Sequence, residues 1–218
     1  MQSVLFDLDG TLLDTAPDMV PVLAELLAEE GRALMPYDVA RGHVSNGSAG
    51  LVRLAFPDAS TGRLAALQAR YLALYATRLT RETRLFPGFD ALLGGLEARG
   101  LPWGVVTNKP GYLTEPLLAG LGLRHRAACV VSGDTLPERK PHPRPVQYAV
   151  TTVGAVPERS IYVGDARRDI ESGRGAGTRT IAAAYGYVPP GEDPWAWGAD
   201  AVVTSVAELT ATIDRLLA

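Results

Sequence analysis

Six short apolar runs, Ser3–Phe6, Trp103–Thr107, Ala128–Ser132, Ser160–Gly164, Thr180–Ala183 and Ala201–Val203, each end in turn residues before the next element begins. Runs this short and this continuously apolar suit strands buried on both faces, the environment a parallel sheet provides. Helical spacing follows at Phe89–Arg99, Thr114–Leu121, Val146–Val153, Ile170–Ala176 and Val206–Leu217. Strand alternating with helix predicts an α/β fold, a doubly wound, Rossmann-like parallel sheet whose ligand site lies beyond the carboxyl ends of the strands.

The alternation stops between the first run and the second. Met19–Glu30, Gly50–Phe56 and Thr61–Leu79 carry apolar residues at three- and four-residue spacing, with no strand among them. The expected organisation is a core of residues 1–14 and 86–218, with residues 15–85 as a small helical cap inserted after the first strand. Hinges are expected near Asp14–Pro17 and Arg84–Gly88. A cap leaving from a strand end would stand over the site.

Charge excludes some partners. The 218 residues hold 24 acids against 21 bases, a formal charge of -3, so no basic field exists to hold nucleic acid or an anionic membrane. Cys129 is the only cysteine, and His43, His125 and His142 form no zinc-ligand spacing with it. The opening MQSVLFDLDG lacks a basic leader, and no apolar run approaches membrane-spanning length. These features predict a soluble, cytoplasmic protein, a monomer or small homo-oligomer. Trp195 and Trp197, in a loop rich in proline and glycine, are expected to pack that loop onto the core.

The first run leads directly into Asp7-Leu8-Asp9-Gly10-Thr11. Two carboxylates at one strand end either cap the following turn or serve chemistry. Thr107 closes the second run, and Asn108 stands where it would cap a helix begun by Pro110. Lys140 precedes Pro141, with Pro143 and Pro145 beyond, a stiff setting that would fix its ammonium in place. Asp165 follows Tyr162-Val163-Gly164, where an N-cap belongs, and Asp169 lies four residues on, on the same helix face.

In this order and spacing the residues resemble the four motifs of the haloacid-dehalogenase superfamily: Asp-x-Asp-Gly-Thr, a strand ending in Thr or Ser, a lysine, and Gly-Asp-x-x-x-Asp. Together they span nearly the whole chain. The resemblance implies a phosphatase in which Asp7 is the nucleophile and forms an aspartyl-phosphate. Asp9 would protonate the leaving alcohol and later deprotonate water. Thr107, the Asn108 backbone N–H and Lys140 would bind the phosphoryl oxygens. It further implies Mg²⁺ held by the Asp7 side chain, the Asp9 carbonyl and the Asp165 side chain, with Asp169 as a supporting or water-mediated ligand. An acid at Asp9 separates phosphatases from the metal-free dehalogenases of the same family.

Charge counting points to the same cofactor. Four carboxylates and a phosphate ester against one lysine would repel or protonate, and a hard divalent cation with oxygen ligands resolves the conflict. The implied substrate is a small phosphorylated acid or sugar phosphate, 2-phosphoglycolate first and N-acetylmuramic acid 6-phosphate second. Both present a carboxylate. Within the cap, Ser45, Asn46 and Gly47 in the Val44–Gly50 stretch are candidates for substrate contact, and Arg53 is chosen over Arg41 for the carboxylate, with His43 nearby. Two other classes stay open here: a phosphotransferase or mutase of the same superfamily, and a receiver-like phospho-signalling module.

Overall fold

A computed structural model describes the whole chain, Met1–Ala218. β1 (Ser3–Phe6) and β2 (Leu13–Asp14) precede α1 (Ala16–Glu29), α2 (Tyr37–Gly42), a 3-10 turn at Val44–Asn46, α3 (Gly47–Ala55), α4 (Thr61–Ala76) and β3 (Arg84–Leu85). The alternating part then runs α5 (Phe89–Ala98), β4 (Trp103–Val106), α6 (Gly111–Gly120), β5 (Cys129–Val131), α7 (Arg144–Thr152) and β6 (Ser160–Gly164). It closes with α8 (Arg167–Gly175), β7 (Arg179–Ala183), β8 (Ala201–Val203) and α9 (Val206–Leu217).

Six strands form one sheet in the order β5-β4-β1-β6-β7-β8, every neighbouring pair parallel. β1 takes the middle because Val4, Leu5 and Phe6 are apolar on both faces and fully buried. Val4 and Phe6 join Phe89, Leu93, Leu209 and Ile213 from α5 and α9. Leu5 turns the other way, to Val106, Tyr162 and the α7 residues Val146, Ala149 and Val150. Each such side chain contributes about 1.5–3 kcal/mol by leaving water. The chain moves outward from β1 through β4 to β5 on one side and from β6 to β8 on the other. That reversal opens a crevice at the carboxyl ends of β1, β4 and β6.

Each expected strand is present, with ends shifted by a residue or so, and Arg179 joins β7. The helices α1–α4 leave through β2 and return through β3, and these two short strands pair antiparallel, Leu13 with Leu85 and Asp14 with Arg84. The sequence patterns show no trace of this ribbon, since two-residue strands are too short to display a period. The return crossing is clamped by Asp18 in the first turn of α1. Its buried carboxylate accepts from the backbone N–H groups of Glu82 and Thr83 and from the Thr83 hydroxyl, at 2.8–3.1 Å. Tyr71 of α4 reaches back to donate to the Met19 carbonyl of α1 at 2.8 Å.

The tryptophan expectation is half corrected. Trp197 is buried beside Ile170 and Ala182, whereas Trp195 is 63% exposed. A 3-10 turn over Pro194–Trp197 sends residues two apart to different sides.

Candidate active site

Strand ends bring the acids together. The Asp7 N–H donates to the Val163 carbonyl at 2.8 Å, extending the β1–β6 pairing to the acid itself. Gly10 has φ +84°, and a Cβ there would stand 2.0 Å from the Asp165 Oδ2, so only glycine lets this turn press against Asp165. Gly164 plays a similar part, because a Cβ on it would lie 2.2 Å from the Asp169 Cβ. The carboxylate oxygens of Asp7, Asp165 and Asp169 can meet within 4.8 Å, all three residues buried.

Lys140 neutralises part of this cluster. Its Nζ lies 2.7 Å from the Asp7 Oδ1, 2.7 Å from the Asp169 Oδ1, 2.9 Å from the Val106 carbonyl and 2.8 Å from the Tyr162 hydroxyl. Burial alone would depress the ammonium, but Asp169 and Asp7 outweigh it and lift its pKa. Asn108 fixes the segment: its Nδ2 donates to the Lys140 carbonyl at 3.0 Å and its Oδ1 accepts from the Lys140 N–H at 3.1 Å. Its side chain therefore holds the lysine. Thr107 Oγ1 accepts from the Lys109 N–H at 3.1 Å, which leaves its own proton to donate into the cleft.

The acids differ in what they have left to offer. Asp169 is engaged at both oxygens, by Lys140 and Tyr162 at Oδ1 and by the Ala166 N–H at Oδ2, 3.1 Å away. Asp7 gives one oxygen to Lys140, and its other oxygen takes no hydrogen bond from the protein. Burial pushes the Asp7 carboxyl up to about 6, against the pull of Lys140. Burial, then the charges of Asp7 and Asp169, push Asp165 up to about 7. Asp165 accepts from the Tyr187 N–H at 2.8 Å and the Ser45 hydroxyl at 2.5 Å. The same hydroxyl lies 3.3 Å from the Asp9 carbonyl. An all-oxygen donor set of Asp7, Asp165 and the Asp9 carbonyl, short of positive charge, fits a hard divalent cation.

A cleft of about 350 Å³ opens onto these groups. Asp7, Thr107 and Lys140 form its floor, while Ser45, Asn46, Gly47 and Ser48 reach it from the helical segment. Three wall residues escaped sequence reading. Lys109 is buried and pairs with both Asp9 oxygens at 2.8 and 3.1 Å, with its Nζ 4.7 Å from the centre of the Tyr75 ring. Tyr75 is 1% exposed, and its hydroxyl has no hydrogen-bond partner. Arg168 donates to the Ser45 carbonyl and the Asn46 side chain. The signals were thin: Lys109 adjoins Asn108, and Arg168 sits inside the Asp165–Asp169 spacing.

The structure does not bring Arg53 to the cleft, and this corrects its assignment to the substrate carboxylate. Lining residues on α3 stop at Ala49, one turn before Arg53, which is exposed. Arg41 is placed over the Tyr187 ring at 4.8 Å, and His43 beside Asn46, both outside the cleft lining.

A parallel α/β sheet carrying a strand-end nucleophile candidate, a buried lysine and an acid cluster under a helical insertion defines a class of hydrolases. Residues 4–183 match the model of the haloacid dehalogenase-like hydrolase family. The chain belongs to that family. It is 42% identical to an N-acetylmuramic acid 6-phosphate phosphatase of Pseudomonas putida, over 100% of this chain and 98% of that one. It is 41% identical to a phosphoglycolate phosphatase of Xanthomonas campestris pv. campestris, over 95% and 94%. Among solved structures, a protein from Haemophilus somnus described as a predicted phosphoglycolate phosphatase superposes with a TM-score of 0.85 at 27% identity, covering 96% of each chain. No helix is long and apolar enough to cross a membrane.

Proposed function

We propose that this protein is a Mg²⁺-dependent phosphomonoester hydrolase acting through an aspartyl-phosphate on Asp7. The observation that carries this is the Asp7 carboxylate, fixed at the end of β1 with one oxygen on Lys140 and the other without a protein partner. That oxygen attacks phosphorus, the bond from phosphorus to the ester oxygen breaks, and protonated Asp9 supplies the alcohol's proton. Water then attacks the phosphoenzyme, Asp9 takes a proton from it, and phosphate leaves. Lys109 holds the Asp9 carboxyl in position, with its Nζ 2.8 and 3.1 Å from the two oxygens. Thr107, the Asn108 backbone N–H and Lys140 bind phosphoryl oxygens, and the Asn108 side chain keeps Lys140 in place.

Asp7, Asp165 and the Asp9 carbonyl would hold Mg²⁺, with Asp169 as a supporting or water-mediated ligand; when bound, the ion would supply charge neutralisation for a phosphoryl group. Residues 15–85 act as a cap, hinged at the β2–β3 ribbon, and bring Ser45, Asn46 and Gly47 to the substrate. The substrate is a small phosphorylated acid. 2-Phosphoglycolate comes first and N-acetylmuramic acid 6-phosphate second, and similar proteins at 41% and 42% identity carry the name of one activity each. A cytoplasmic monomer or small homo-oligomer completes the reading.

The test is phosphate release from a panel of monoesters with Mg²⁺ and with excess chelator. Full activity in chelator removes the metal, and transfer of label to an added sugar phosphate in place of water makes the protein a phosphotransferase. Asp9→Asn should lose alkyl ester hydrolysis yet still form phosphoenzyme from p-nitrophenyl phosphate, whose leaving group needs no proton. Normal alkyl ester turnover by that variant would remove Asp9 from acid–base work.

Metal binding should also show in stability. Carboxyls raised to about 6 and 7 are unfavourably charged above those values, and the penalty is relieved as pH falls through them. Without metal, the melting temperature should therefore rise as pH drops from 8 to 6. At pH 8, Mg²⁺ at a hundredfold excess over its Kd should add about 2.7 kcal/mol, or roughly 5–10 °C. The gain should shrink toward pH 5, where protons compete for the same oxygens. A melting temperature indifferent to Mg²⁺ at pH 8 would count against the metal set.

A further inference from the structure

Four basic side chains line the cleft: Lys109, Arg139, Lys140 and Arg168. Lys140 is committed to Asp7 and Asp169, and Lys109 to Asp9. Arg139 is exposed. Arg168 is different on both counts. It is half-buried and fixed by two neutral acceptors of the helical segment, the Ser45 carbonyl and the Asn46 Oδ1, the latter at 3.3 Å. No carboxylate oxygen stands within ion-pair distance of its guanidinium.

We propose that Arg168 determines specificity in this cleft, its guanidinium taking the carboxylate of an acid-bearing phosphomonoester whose phosphate lies at Asp7, Thr107 and Lys140. This rests on the phosphatase reading given above. A guanidinium has five N–H donors in a planar fork that matches a carboxylate's two oxygens. Two cap acceptors leave part of that fork open, and neither is an anion that would compete with a substrate acid. The Tyr75 hydroxyl, buried in the same cleft without a partner, offers a further donor to the leaving group. Met19, Tyr71, Leu72 and Leu113 supply the apolar wall that strengthens such a charge-assisted contact.

Arg168 belongs to the acidic motif of the core yet grips the cap turn. Substrate recognition and cap position thus meet at one side chain, and the test must separate them. Two substrate pairs differ in the acid: 2-phosphoglycolate against ethyl phosphate, and N-acetylmuramic acid 6-phosphate against N-acetylglucosamine 6-phosphate, which lacks the lactyl carboxylate. The quantity read is the ratio of kcat/KM within a pair. The wild type should favour the acid in at least one pair, and Arg168→Met should collapse that ratio roughly 10- to 100-fold, the loss of a hydrogen bond to a charged group. Arg168→Lys, which keeps charge but not the fork, should fall between.

A ratio within threefold of wild type in both pairs, with turnover lowered for all esters alike, would show that Arg168 only latches the cap, and the proposal fails. A wild type that prefers neither acid overturns it as well. If the wild type hydrolyses no ester, the phosphatase reading fails separately, and Kd values of the same pairs on Asp7→Asn still decide whether Arg168 reads the acid. Melting curves of both Arg168 variants establish that they fold.

Discussion

Asp7→Asn should leave a folded protein with turnover below about a thousandth of wild type. An amide oxygen does not displace an alcohol from phosphorus, and no neighbouring carboxylate is free to take over: Asp169 is engaged at both oxygens, and Asp9 is held by Lys109. The fold should survive because asparagine keeps the shape and can still accept from Lys140. Removing a buried carboxylate also relieves the repulsion that raises its neighbour Asp165. Acid quenching during turnover with labelled substrate should leave label on wild-type protein and none on the variant. Label retained by Asp7→Asn would move the covalent step to another residue.

Lys140→Met should cost stability as well as activity. Asp7 and Asp169 both lie 2.7 Å from the Lys140 ammonium, and each is almost wholly buried. Removing the cation strands two carboxylates against each other, a loss of about 3–5 kcal/mol, or roughly 6–20 °C in melting temperature. A second change, Asp169→Asn, should restore much of that stability without restoring turnover, because only the repulsion is relieved. A single variant as stable as wild type would mean that the acids are held by something other than Lys140.

How legible was this in the sequence? The sheet was, because β1, β4 and β6 are buried on both faces and therefore uninterrupted in hydrophobicity. Asp7, Asp9 and Asp165 were too, since each stands where an apolar run gives way to a turn, and Lys140 and Asp169 were marked by the flanking prolines and by the four-residue spacing from Asp165. What stayed hidden depends on contacts across the fold. Nothing local marks Lys109 as the partner of an acid a hundred residues away, or Asn108 as the clamp on Lys140. Arg53 misled for a related reason: helical spacing placed it one turn from the substrate loop but could not say how far the helix end reaches into the cleft. Arg168 went unread because a basic residue at the start of a helix is ordinarily solvated. Its role appears only when the Ser45–Asn46 turn is seen seated on it.

The central position of β1 has a consequence for synthesis. The strand that delivers Asp7 pairs with β4 and β6, and Ser3 meets Ser160 across 157 residues of chain. At ribosomal speeds of about 5–20 residues per second, β1 waits roughly 8–30 s for its second neighbour to be made. Until β4 is made Val4, Leu5 and Phe6 form an unpaired apolar strand, and the edge that takes β6 stays open for the rest of the interval, while the helices that follow can already close on one another through local contacts. The acid cluster forms only when β6 docks, so a nascent chain cannot assemble it until about three quarters of the chain has been translated. Folding yield should accordingly depend on how well that first strand is shielded before its partners arrive.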